Sequence, residues 1–110
     1  MAVTYEYDSF AYAAPANTNL ATLLTLAAGE ELINSWVVCT NLSASDITVR
    51  VGYGTGVSQD AWLVYDFPVI ANMFMNVFIS GLGSANKIFV RTSSANNAHF
   101  TVMGLKKTTV

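Results

Sequence analysis

A single histidine, a single cysteine and seven carboxylates are the side chains of this 110-residue chain that could carry acid–base, nucleophilic or metal chemistry. Covalent catalysis needs a nucleophile, a base and a group that orients the base. A metal site needs several His, Cys or carboxylate ligands together. His99 stands alone, in phase with Thr101 and Met103 and out of phase with Phe100 and Val102, which suits a surface or interface position on a strand. Cys39 follows Trp36-Val37-Val38 and reads as a small apolar filler of a core strand. With no second cysteine it forms no internal disulfide, and the fold must rely on packing. Glu30 and Glu31 are adjacent, so on a strand or turn they point to opposite sides and make no ready acid/base pair. Asp66, shortly before Pro68, is placed to cap a turn by accepting backbone N–H groups.

The motif-like strings are weak. Gly52-Tyr53-Gly54-Thr55-Gly56 is glycine-rich, yet no helix with an exposed N-terminus follows to hold phosphate. Asn41-Leu42-Ser43 fits a glycosylation acceptor on paper, but it reads as a turn. Tyr5, Tyr7, Tyr12, Tyr53, Trp62 and Tyr65 could line a sugar platform, with core and subunit contacts the favoured use. The expectation is a chain with no catalytic residue, no cofactor and no metal.

Composition narrows the partners. Charged residues make up 11% of the chain and apolar ones 53%, against about 25% charged in an average soluble domain. One small core cannot hide that apolar surplus, and large exposed apolar patches mark interfaces. With a net charge of −2, little keeps copies apart, so a homo-oligomer or docking onto a larger assembly is expected. Five scattered Lys and Arg and a pI near 5.0 argue against nucleic acid, which demands a basic stripe. No apolar run approaches the ~20 residues of a membrane helix, and no membrane is expected as partner. The N-terminal residues lack the basic and apolar regions of a secretory signal, so synthesis in a cytoplasm is expected.

The elements that must position these residues are strands. Helical periodicity is missing, whereas short β-branched and aromatic runs recur between Gly, Asn, Ser and Asp. Val3–Asp8 alternates as a half-buried strand, and 13–19 reads as a loop around Pro15. Thr22–Ala27 is a second strand, with 28–30 as the turn of a hairpin into a third, Leu32–Thr40. Ile47, Val49, Val51 and Tyr53 alternate with Thr48, Arg50 and Gly52, the cleanest period of two in the chain, which puts the first set in the core. Ala61–Phe67 is a strand ended by Pro68. Met73–Ile79 has two apolar faces: Met73, Met75, Val77 and Ile79 on one, Phe74 and Phe78 on the other. Lys87–Thr92 and Ala98–Leu105 complete about eight strands. The expected fold is all-β, a single antiparallel two-sheet sandwich of jelly-roll type, with 1–20 as N-terminal strand and arm and 106–110 as a short tail.

In order, Leu24-Thr25-Leu26-Ala27-Ala28-Gly29-Glu30, Trp36-Val37-Val38-Cys39-Thr40-Asn41 and Ile47-Thr48-Val49-Arg50-Val51 resemble small structural proteins of tailed bacteriophage virions. Trp62-Leu63-Val64-Tyr65-Asp66-Phe67-Pro68, Ile88-Phe89-Val90-Arg91-Thr92-Ser93-Ser94 and His99-Phe100-Thr101-Val102-Met103-Gly104 continue the likeness, which spans about Leu23 to Leu105. Lys106–Val110 and Met73–Met75 depart from it. The resemblance implies a virion protein made in the host bacterial cytoplasm, foremost a capsid decoration or cement protein. Its partners would be its own copies, with a trimer as one candidate state, and the major capsid protein or other virion proteins. A tail or baseplate component, or a carbohydrate- or receptor-binding module, is the alternative. Because a sandwich strand with one wet side should alternate with polar residues, the two-faced strand marks Met73, Phe74, Met75, Val77 and Phe78, with Tyr5 and Tyr7, as the candidate interface.

Overall fold

The computed structural model describes residues 2–110. Among them are eight strands and no helix: β1 (Val3–Ala13), β2 (Ala21–Thr25), β3 (Glu30–Asn41), β4 (Ile47–Gly54), β5 (Ala61–Val69), β6 (Phe74–Ile79), β7 (Lys87–Thr92) and β8 (Ala98–Thr109). They form two four-stranded sheets, ordered β1-β8-β3-β6 and β2-β7-β4-β5. All pairs are antiparallel, and the first strand meets the last, the second the next to last, and so on inward. The chain is one long ribbon doubled back at the 55–60 loop and rolled until β3 meets β8 and β4 meets β7. That is the jelly-roll arrangement expected from the strand pattern.

The core lies between the sheets and is built from alternate residues of the four inner strands. Val37 and Cys39 on β3 and Phe100 and Val102 on β8 face Val49 and Val51 on β4 and Ile88 and Val90 on β7, all fully buried. The alternation read in β4 holds: Ile47, Val49 and Val51 are buried and Thr48 and Arg50 lie on the outer side. The asparagine of Asn41-Leu42-Ser43 is buried and structural. Its Nδ2 donates to the Ser45 and Val69 carbonyls at 2.8 and 3.0 Å, and its Oδ1 accepts from the Ser43 N–H at 2.9 Å, so the turn's polar groups are satisfied internally.

Four local expectations need correction. No hairpin joins β2 to β3: the strands lie in opposite sheets, and the turn crosses the sandwich. Gly29 has φ +82°, a Cβ there would collide with the Thr109 carbonyl, and the Thr109 N–H donates to the Gly29 carbonyl at 2.9 Å. The turn is thereby docked on the end of β8 instead of zipping β2 to β3. Pro68 does not end β5 but lies inside it, opposite Thr48. This is permitted because β5 is an edge strand whose proline needs no ladder donor. Residues 106–109 are no tail, since they pair with Val3–Glu6 of β1. Lys106 is tied to carboxylates of both flanking strands, its Nζ 2.7 Å from Glu30 of β3 and 3.9 Å from Glu6 of β1. β1 likewise runs on to Ala13, past the expected end at Asp8.

Candidate docking face

Cross-strand partners share a face, so the outer surface of the β1-β8-β3-β6 sheet can be read row by row. One row is Tyr7, Leu105 and Ile33. The next is Ser9, Met103, Trp36 and Phe78, followed by Tyr12, Thr101, Val38 and Asn76, and finally His99, Thr40 and Phe74. Lys107, opposite Tyr5 and Glu31, stands at one end, and His99 at the other. Between those two positions the rows carry no Asp, Glu, Lys or Arg. Large side chains lie open to solvent here: Tyr7 is 74% exposed and Phe74 62%, and Tyr5, Tyr12, Phe78, Met103 and Trp36 are exposed too. Trp36 and Phe78 meet edge to face, with ring centroids 5.3 Å apart. The arrangement fixes both rings in place and lowers the entropy a partner would have to remove.

The candidate interface residues separate. Phe74 and Phe78 point outward, Tyr5 and Tyr7 lie on the same outer surface, and Met73 is exposed just before β6. Met75 does not belong to the surface. It is 8% exposed and stands opposite Cys39 in the core, and Val77, opposite Val37, packs against the same core. Both are corrections with one cause. β6 pairs with β3 in the register that places Met75, Val77 and Ile79 beside β3's buried residues, which turns Phe74, Asn76 and Phe78 outward. Trp36, Met103 and Tyr12 are members of the face that the sequence reading left out. The phase of Trp36 opposite Val37 and Cys39, and of Met103 opposite Val102, is the signal that carried them.

The chemistry-bearing residues do not converge. His99 is exposed, and among the described residues no three His, Cys, Asp or Glu side chains lie close enough to hold a metal ion. Glu30 is tied to Lys106, which with the Ala27 N–H holds its carboxyl below the usual carboxylate range. Asp66 caps no turn, contrary to the sequence reading. It receives Arg50 in a fork, Nε to Oδ1 at 2.7 Å and Nη2 to Oδ2 at 3.2 Å, and Arg50 holds its carboxyl low. The aromatic set is divided as well: Tyr53 packs on the core, while Trp62 and Tyr65 surround Arg50 on the other sheet.

Cys39 is fully buried, and burial pushes its thiol up to about 12. Because the thiolate is the reactive form, a thiol reagent at neutral pH is expected to leave the native chain unmodified and to label it fully in denaturant. Labelling of the native protein at the rate of a free thiol would contradict the packing of β3.

Compared with known proteins, the chain matches no protein-family model, and no curated protein shows significant similarity to it.

Proposed function

We propose that this chain is a non-enzymatic structural protein of a tailed bacteriophage virion, a capsid decoration or cement protein that forms a small homo-oligomer. Its copies pack against one another through the outer face of the β1-β8-β3-β6 sheet. The observation that carries the reading is that face itself, an uncharged field of exposed Tyr, Trp, Phe and Met on a fold with few charges. Interface cores are depleted in charge and enriched in these side chains, and Trp and Tyr are the residues that most often dominate binding energy. A stable contact needs at least ~1,000 Å² of buried surface, and a continuous four-stranded face is suited to provide it. The jelly roll supports the reading by analogy only, since the same architecture serves viral capsid proteins, lectins and cupins.

Antibody raised against the purified chain is expected to decorate intact particles, on their shells, in micrographs of a lysate in which the chain is made. Label that follows only free protein would overturn the reading. Label confined to tails would move the protein to the tail or baseplate and overturn the decoration role.

A further inference from the structure

The opposite sheet carries a polar cleft that the docking face does not use. It has a volume of about 410 Å³ and is lined by Thr18, Thr48, Arg50, Asp66, Arg91 and Ser93, within the ~300–1,000 Å³ usual for small-molecule sites. The chain has only two arginines, and both are here, directly opposite each other across β4 and β7. Like charges in that position destabilise a sheet. One carboxylate, Asp66 on the neighbouring strand β5, lies near enough to feel both cations. It is committed to Arg50, so the cleft keeps an excess positive charge.

Arg91 is the unsatisfied member. Its Nε donates to the Thr18 carbonyl at 2.8 Å, which anchors the guanidinium against the 14–20 loop. Among the described residues, neither of its Nη groups has a protein acceptor and no carboxylate pairs with it. A planar guanidinium with two free donors matches a carboxylate in bidentate geometry. Around it are hydroxyl groups. Ser93 Oγ accepts from the Thr48 N–H at 2.9 Å and still has its own hydrogen to give. Thr18 and Thr48 lend only backbone atoms to the bonds seen here. Outside the lining, the Arg50 guanidinium covers one face of the exposed Tyr65 ring, 3.9 Å from its centroid, and Trp62 meets Tyr65 edge to face at 5.5 Å. These contacts hold the Arg50 guanidinium in place beside its fork with Asp66.

We infer that this cleft binds a sugar bearing a carboxylate, a uronic acid or its like, with the carboxylate on Arg91 and ring hydroxyls on the threonine and serine side chains. An acidic peptide would satisfy Arg91 alone and leave the hydroxyl lining unused. The site lies on the sheet away from the docking face, so it stays open when that face is covered, and it stands or falls independently of the virion reading.

The test follows the arginine Nε–H signals by NMR. There are two, and Arg91→Gln assigns them. Glucuronate is expected to shift the Arg91 signal saturably and at least about tenfold more tightly than glucose, which lacks the charge-assisted contact, or acetate and a Glu-rich peptide, which lack the ring hydroxyls. The Arg50 signal, which shifts less in the parent, should no longer respond in Arg91→Gln, because binding is lost. Asp66→Asn should tighten it a few-fold, because it removes the repelling charge. Asn also tolerates the left-handed backbone of Asp66, φ 51°. Absence of a saturable shift in the parent overturns the site, whatever the variants do. Equal response to acetate and glucuronate reduces it to an anion contact and overturns the sugar assignment. Preference for the peptide overturns it in favour of a protein ligand.

Discussion

Val49→Asp is expected to leave no stable fold at 25 °C. Val49 is fully buried at the centre of β4, between β5 and β7. Losing the apolar side chain forfeits about 1.5–3 kcal/mol, and an uncompensated charge in its place costs about 3–5 kcal/mol. Together these match the stability of a domain in the lower half of the usual range of about 5–15 kcal/mol. Thr48→Asp, one residue away on the outer side, is the control and should change stability by no more than about 0.5 kcal/mol. Thermal melts followed by circular dichroism separate the outcomes. If Val49→Asp melts like the parent, β4 has the opposite register and the core described here is wrong.

The second large effect falls on adjacent residues with opposite fates. Met75→Asp should unfold the domain for the same reason as Val49→Asp. Phe74→Asp combined with Phe78→Asp should leave it folded, because both rings point away from the core. That double variant should lose association. Central aromatic residues of an interface are each worth about 2 kcal/mol or more, so roughly 30-fold in affinity per residue is expected. Loss of the edge-to-face contact of Phe78 with Trp36 costs the fold itself about 0.5–1.5 kcal/mol. A folded double variant that associates like the parent would remove this sheet face from the assembly.

The contrast between Phe74 and Met75 also marks how far the chain could be read unaided. Strand positions and the phase of β4 were legible because Thr48 and Arg50 interrupt an apolar series, and burying a guanidinium is too costly to leave the choice open. In β6 both phases are apolar, so nothing local says which one faces in. The answer lies in β3, whose Cys39 and Val37 stand opposite Met75 and Val77. The lost hairpin at Gly29 has a similar origin. A glycine turn between two strand-like runs looks local, yet its carbonyl is bonded to Thr109 at the other end of the chain.

The cleft was invisible for the same reason. Arg50, Asp66 and Arg91 are scattered in sequence, and only the ribbon's rolling sets Arg50 opposite Arg91. The fork between Arg50 and Asp66 depends on an irregular stretch of β5 between Val64 and Phe67, where Asp66 takes a positive φ. Such bulges re-aim side chains in ways that alternation does not anticipate. Tyr5 and Tyr7 alternate with Glu6 and Asp8 as any half-buried strand would. In the fold, residues 3–9 of β1 are exposed along their whole length, so the strand is not half-buried and the tyrosines stand on the docking face.

The mass of the parent protein in solution tests the central claim most directly. Sedimentation equilibrium at micromolar concentration should report a small whole-number multiple of the 11.8 kDa chain, because the uncharged aromatic face of β1-β8-β3-β6 needs a cover. A single 11.8 kDa species throughout that range would show that the face stays open in water and would contradict its assignment as the surface through which copies assemble.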